Sequence, residues 1–226
     1  SIPVINKAIE LAGKKTGAYD AVFTDDMNMF SDDKLSQFDG IVFNNTTKLE
    51  FNDDRKKALM DFVKGGKGII GIHGATDNFY TWPEAAAMMG GTFAGHPWTS
   101  NGVWAIKNTD ANHPLNASFK GEGFKLKEEI YRTKMMKLRE NSHVLLALDM
   151  NDQATRDAKG AMESDADMPV SWIRNFEKGR VFYCGLGHNN EVVLMPKVLQ
   201  HYLEGIQFAL GDLAADATPN TKDIKK

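Results

Sequence analysis

Cysteine is almost missing from this chain: Cys184 is the one thiol in 226 residues. A single cysteine excludes an internal disulfide and any zinc site assembled from several thiolates. Long apolar runs are lacking as well, and none approaches the roughly 20 residues that cross a bilayer. Basic clusters are absent too; 27 Lys and Arg stand against 30 Asp and Glu, a formal charge of −3. Nucleic acid needs a concentrated positive face, so neither nucleic acid nor membrane is an expected partner. The chain opens Ser1-Ile2-Pro3, with no initiator methionine and no signal-peptide pattern. A mature or trimmed soluble form, cytoplasmic or exported, is the expectation from that start.

Familiar catalytic signatures are also missing. There is no Gly-x-Ser-x-Gly elbow for a serine hydrolase. The cluster Gly65-Gly66-Lys67-Gly68 has neither P-loop nor dinucleotide-binding spacing, and no His-Glu-x-x-His occurs. Cys184 lies inside an apolar run over 181–184, where a small buried hydrophobe is the expected role. A reactive cysteine belongs at an exposed turn beside a positive charge.

What is present is the material of one soluble domain. Hydrophobic residues make up 42% and charged residues 25%, near the averages for globular proteins. The length fits a single domain, expected over 1–211, with a polar, disordered tail over 212–226. Apolar spacing predicts a helix over 3–17, with Pro3 suited to its first turn. A short strand over 21–23 and a brief helix capped by Ser31 follow. Next come a buried strand over 39–43, the polar loop Asn44-Asn45-Thr46-Thr47, and a helix capped by Asn52 and closed by Gly65-Gly66. A strand over 67–72 then stops at His73. This alternation favours a parallel sheet with helices on both faces.

The second half has a different texture. A helix from Thr81 carries Trp82 and ends at Gly90-Gly91. Strand-like pieces then cover 103–106, 124–131 and 144–148, and a polar surface loop is expected over 151–167. Segments 169–173 and 180–184 read as a hairpin. A last helix is expected over 194–210.

The chemistry-bearing residues gather at expected strand ends. In open α/β sheets, ligands bind outside the carboxyl ends of the strands, and His73 sits there between glycines. His96 and His188 lie in similarly glycine-rich loops, where backbone and ligand approach closely. Acidic candidates near them are Asp77, Glu128, Glu129 and Glu191. Neutral imidazoles with a carboxylate form a typical zinc or other divalent-metal set. The expected ligands are His73, His96, Glu129 and His188, with Asp77 or Glu191 as base or as orienter of a histidine. Asn45 and Thr46, at a strand end, are expected to touch substrate. Trp82, Trp98 and Trp104 cluster around His96, and Trp82 and Trp98 are the expected sugar-facing residues; such aromatics suit sugar rings and core packing alike. His113, His143 and His201 read as structural or surface residues.

Several of these stretches together resemble the ThuA-like family, named for trehalose utilisation. They are Phe38-Asp39-Gly40-Ile41-Val42-Phe43-Asn44-Asn45-Thr46-Thr47, Gly71-Ile72-His73-Gly74-Ala75-Thr76-Asp77, Gly95-His96-Pro97, Glu128-Glu129-Ile130-Tyr131, Pro169-Val170-Ser171-Trp172 and Gly185-Leu186-Gly187-His188. They span nearly the whole chain, in order. The resemblance implies a flavodoxin-like three-layer α/β/α sandwich with a mostly parallel central sheet, like class I glutamine amidotransferases. In that comparison His73 falls where amidotransferases keep their nucleophilic cysteine, and His188, followed by Glu191, falls near their catalytic histidine and acid. With no nucleophile on the elbow, thiol acyl transfer is not expected. Members of the family usually begin with a strand ahead of the Ser-Ile-Pro-like segment, so an N-terminal strand is expected to be missing. The implied function is carbohydrate catabolism: a metal-dependent hydrolase, lyase or isomerase acting on a disaccharide or its 3-keto derivative, possible also as a homo-oligomer. The alternative is a non-catalytic sugar-binding or partner-docking domain on the same scaffold.

Overall fold

The strand leading to His73 is apolar at every position, and the fold explains why. In the computed structural model, which describes residues 1–135 and 137–221, β2 (Gly68–Ile72) is buried throughout. Successive side chains of a strand point to opposite faces, and here both faces are covered. Ile70 and Ile72 pack with Ile5, Ile9, Ile206 and Phe208 on one side. Ile69 packs with Leu59, Val63, Met88 and Met89 on the other.

The first of these layers is α1 (Ile2–Thr16), which packs beside the C-terminal helix. A short α2 (Asp32–Leu35) precedes β1 (Gly40–Asn44). The opposite layer is α3 (Asp53–Lys64), capped as expected by Asn52, whose side chain accepts from Arg55 N–H at 3.0 Å. It is joined by α4 (Pro83–Met89). After α4, β3 (Gly91–Phe93) pairs antiparallel with β6 (Thr133–Met135) in a two-stranded sheet of its own.

The remaining strands are β4 (Val103–Asn108), β5 (Phe124–Lys127), β7 (His143–Leu148), β8 (Pro169–Phe176) and β9 (Gly179–Cys184). With β1 and β2 they form a seven-stranded sheet in the order β1-β2-β9-β8-β7-β4-β5. Short helices α5 (Leu138–Asn141), α6 (Gln153–Arg156) and α7 (Asn190–Val193) punctuate the second half, and α8 (Pro196–Leu210) closes it. The final helix expected over 194–210 is present, beginning at Pro196 in its first turn.

Several expectations are corrected. The sheet is mixed, not mostly parallel: β1-β2-β9 are parallel and β9-β8, β8-β7, β7-β4 and β4-β5 are antiparallel. The β8–β9 hairpin turns the chain back at the middle of the sheet and sets the rest antiparallel. Segment 21–23 forms no strand, and Val22 and Phe23 are exposed. A strand needs a neighbour for its backbone groups, and segment 21–23 pairs with none of the assigned strands, β1 included. The strand expected over 124–131 ends at Lys127, where the buried Glu128 side chain turns back onto the backbone N–H of Glu129. The expected loop over 151–167 contains α6 and a 3-10 turn, Glu163–Asp165. It is anchored by an Arg132–Asp165 ion pair of 2.6 Å that buries Asp165.

Residues 212–221 follow α8 without helix or long strand, yet they lie against the domain. Asn220 exchanges hydrogen bonds with the Val144 backbone at 2.8–2.9 Å. The expected tail from 222 to 226 lies outside the described residues.

Candidate metal centre

Three adjacent parallel strands, β1, β2 and β9, deliver the site, since Asn45, His73 and the loop after Cys184 follow their carboxyl ends. His73 opens a 3-10 turn, His73–Thr76, directly after β2 and adopts φ 42°, an unusual backbone for a residue with a Cβ. Its neighbours hold it there. Tyr183 O–H donates to the His73 carbonyl at 2.8 Å. Asn45, itself at φ 51°, accepts from Gly74 N–H at 3.4 Å and donates to the Gly187 carbonyl at 3.3 Å. Gly187 takes φ 148°, and a Cβ there would press on Ile72, Tyr202 and His73 at 3.0–3.3 Å. Only glycine lets the β9 loop come this close.

The tautomer of His73 follows from its contacts. Nδ1–H donates to the Gly185 carbonyl at 2.9 Å, so Nε2 carries the free lone pair. That Nε2 is buried with no hydrogen-bond partner. It lies 3.4 Å from Glu129 Oε1, and His188 Nδ1 lies 3.3 Å from the same oxygen. His73, Glu129 and His188 each offer a ligand atom, all within 4.8 Å of one another. His96 sits at the edge, half-exposed, with Nδ1 3.7 Å from Glu129 Oε2; it is outside the three-residue group. Tyr131 packs on the His73 ring at 4.3 Å, and Phe93 contacts both Tyr131 and His96, at 4.4 and 5.9 Å.

Charge is concentrated here. Burial pushes the Glu129 carboxyl up, but the nearby His73, His188 and His96 outweigh it and hold Glu129 below the usual carboxylate range. His188 is lowered, first by burial. Burial, with help from Glu129 and Asp77, pushes the Tyr131 hydroxyl up to about 12, so it stays protonated. Behind Glu129 lies Glu128, fully buried. It accepts from the backbone N–H of Glu129 at 2.8 Å, of Asn189 at 2.9 Å and of Gly187 at 3.2 Å. These bonds tie the His188 loop to the Glu129 segment. Sequence reasoning placed Glu128 among the acids but gave it no role; the pair Glu128-Glu129 itself was the one available signal. Burial raises its carboxyl, against these N–H contacts.

The other expected site residues divide. Asp77 is half-buried on the same elbow, accepts from Tyr80 O–H, and takes Lys48 N–H on its carbonyl at 2.7 Å. Thr46 is held by Asn78, whose side-chain amide donates to its carbonyl and hydroxyl at 2.7 and 3.0 Å. Trp98 has no face for a ligand: it is fully buried and its indole N–H donates to the Thr155 carbonyl at 2.9 Å. That removes it from the expected sugar-facing pair. Glu191 is exposed in the first turn of α7 and joins none of the contacts among His73, Glu129 and His188. Cys184 is fully buried and its thiol is pushed up to about 12 by burial, so it is no nucleophile.

The fold and the site define an α/β protein with a seven-stranded mixed sheet flanked by helices and a polar elbow, carrying His73, where parallel strands end. The trehalose-utilisation (ThuA) profile matches residues 1–209. The chain belongs to the ThuA trehalose-utilisation family. Among solved structures, it is similar to a ThuA-like protein from Bacteroides uniformis ATCC 8492, with 18% identity and a TM-score of 0.69 over 89% of this chain and 85% of that one. A ThuA-like protein from Parabacteroides merdae ATCC 43184 matches with 17% identity and a TM-score of 0.70 over 95% and 88%. A cytoplasmic protein from Salmonella typhimurium LT2 matches with 16% identity and a TM-score of 0.58 over 90% and 86%. At these identities the likeness is one of fold. No curated protein matches this chain. No helix among the described residues is long and apolar enough to cross a membrane.

Proposed function

We propose that this chain is a metal-assisted enzyme of carbohydrate catabolism, acting on a disaccharide or a keto-sugar derived from one. One observation carries the reading: the buried, unpartnered Nε2 of His73, directed at Glu129 and His188. A buried polar atom without a partner costs on the order of 1–3 kcal/mol, and a cation bound there removes that cost. The donor set of two imidazoles and one carboxylate suits zinc or a similar divalent ion. Glu129 brings a negative charge to a cation held there, and the buried Glu128 behind it orients the Glu129 and His188 segments through the N–H groups it accepts from.

Such an ion supplies Lewis acidity toward a sugar carbonyl or hydroxyl. The chain's own groups do the rest. His73, Glu129 and His188 hold the ion, and the Gly185 carbonyl fixes the His73 tautomer. Asp77 is the base that takes a proton from substrate carbon or hydroxyl, its second partner being Tyr80 O–H. Tyr131, protonated across the neutral range, donates to negative charge developing on a substrate oxygen. Asn45 and Thr46 line the mouth at the end of β1 as substrate contacts.

Zinc titration by calorimetry tests this directly. One ion per chain in the wild type, with binding lost in His73→Ala and His188→Ala variants, is expected. Absence of stoichiometric metal from the purified and the zinc-treated protein sinks the metalloenzyme reading and leaves a sugar-binding domain.

A further inference from the structure

A second concavity opens beside the same elbow, with a volume of about 410 Å³. Lys48, Phe51, Lys56, Phe79, Tyr80 and Trp82 line it. Its tryptophan differs from the other three. Trp98, Trp104 and Trp172 each donate their indole N–H to a backbone carbonyl, of Thr155, Thr99 and Met89, at 2.9–3.0 Å. The indole N–H of Trp82 donates to no protein acceptor among the described residues, and the ring is only half-buried. The ring is nevertheless fixed in place. Phe51 meets it at 5.7 Å with a 52° tilt, and Phe79 meets it edge-on at 5.7 Å. Lys56 Nζ stands 5.9 Å from its centroid.

From these contacts the geometry points to a second carbohydrate subsite at Trp82, which holds the non-reacting ring of a substrate of two or more sugar units. Rigid aromatic faces receive the C–H side of a pyranose. The free indole N–H and the ammonium groups of Lys48 and Lys56 are donors that meet its hydroxyl oxygens. A purely apolar ligand would strip water from those donors and return nothing. A protein partner needs roughly 800 Å² of its surface covered, and Tyr80 is the only strongly exposed large apolar side chain of this lining. The volume falls in the small-molecule range of about 300–1,000 Å³.

The cavity is joined to the metal centre. Tyr80, in its wall, donates its O–H to Asp77. Asp77 directly follows the His73–Thr76 turn, and the Tyr131 ring rests on His73. A disaccharide seated on Trp82 thus extends over Asp77 toward the His73 group. This assignment rests on the carbohydrate reading of that centre, though not on the metal itself.

The test follows the four indole N–H resonances of the whole chain by nitrogen-proton NMR while trehalose, maltose or glucose is added. The Trp82 resonance is identified by its loss in Trp82→Phe, a variant that keeps a ring against Phe51 and Phe79. Saturable movement of that resonance with a disaccharide, the other three staying fixed, is the expected result. Disaccharide affinity should fall about tenfold in Trp82→Ala, and glucose should gain little from Trp82, as expected for one lost aromatic face. An unmoved Trp82 resonance with all three sugars, or unchanged disaccharide affinity in Trp82→Ala, overturns the subsite. Zinc titration of the wild-type chain beside this sugar titration separates the two readings. Sugar-dependent movement of Trp82 without zinc binding keeps the subsite and removes the metal role. Zinc binding with a silent Trp82 does the reverse.

Discussion

Two histidine pairs in this molecule are built from the same parts, and only one has an open end. His113 and His143 stack at 4.7 Å beside Asp110; His73 and His188 approach to 5.3 Å beside Glu129. In the first pair every ring nitrogen is used. His113 Nδ1 accepts from Leu115 N–H at 3.2 Å and its Nε2–H donates to the Asp216 carbonyl at 3.1 Å. His143 donates from Nδ1 to the Thr218 carbonyl at 2.8 Å and from Nε2 to Asp110 Oδ2 at 3.0 Å. That pair fastens residues 216–218 to the domain. In the second pair His73 Nε2 is buried with nothing to bond. Residue type does not separate a structural histidine from a ligand; the count of satisfied ring nitrogens does.

The largest test of that difference is a paired truncation. His73→Ala should weaken zinc binding by well over about a hundredfold, since even residues one shell out cost 10–100-fold. His143→Ala should leave zinc affinity unchanged while loosening the C-terminal segment. Calorimetry of both variants reads the contrast, and equal zinc losses in the two would erase it.

His201 sharpens the structural side. It is fully buried, with Nδ1–H donating to the Leu115 carbonyl at 2.6 Å and Nε2 2.9 Å from Ser171 Oγ. Burial lowers its pKa from 6.5 to about 4. The unfolded chain therefore binds the proton first. Stability from this group is fully present above pH 6.5 and is lost as pH falls from 6.5 to 4, by about 3 kcal/mol in all. Urea unfolding between pH 4 and 7 should show that slope, reduced in His201→Gln. A slope of equal size in the variant would assign the acid loss to other groups.

What the sequence made legible follows the same division. β2, α3 and the β8–β9 hairpin were readable because burial on known faces imposes a local period, and because Asn52 and Gly65-Gly66 mark ends chemically. His73 was readable because a polar residue between glycines at a strand end breaks that period. Its partnership with Glu129 and His188 was not written locally, since the three come from separate loops that only the fold brings together. Glu128 and Glu129 are adjacent and alike in sequence, yet one is buried under three N–H groups and the other faces the site. Trp98 looked like a ligand-facing aromatic because neighbours in sequence cannot reveal the Thr155 carbonyl that takes its N–H. The antiparallel half was hidden for a related reason: strand direction is set by how the chain crosses the sheet, which apolar spacing does not encode.

Glu128 offers a smaller effect on the open pair. Its carboxylate ties the 187–189 loop, and so His188, to Glu129 through three accepted N–H bonds. Glu128→Gln keeps the shape but removes a negative charge and turns an amide N–H toward one of those donors. A 10–100-fold loss of zinc affinity is expected, with one ion per chain still bound. The absorption spectrum of the cobalt-loaded variant should shift as His188 is displaced. A loss of thermal stability with unchanged zinc affinity would confine Glu128 to a structural role.

The smallest effect belongs to the closed pair. Asp110 is one-third exposed where it meets His143, so solvent screens the ion pair and its worth is below about 1 kcal/mol. Asp110→Asn keeps an oxygen that can accept from His143 Nε2–H and removes the charge. Its backbone carbonyl still accepts from Asn116 at 3.0 Å and from His113 N–H at 3.3 Å, so the turn itself persists. Urea unfolding at neutral pH should register that small loss, and hydrogen exchange should quicken at 216–218 while the elbow at His73 keeps its protection. A destabilisation of several kcal/mol, or a change in zinc affinity, would show that the two histidine pairs are coupled through the sheet and would break the contrast between them.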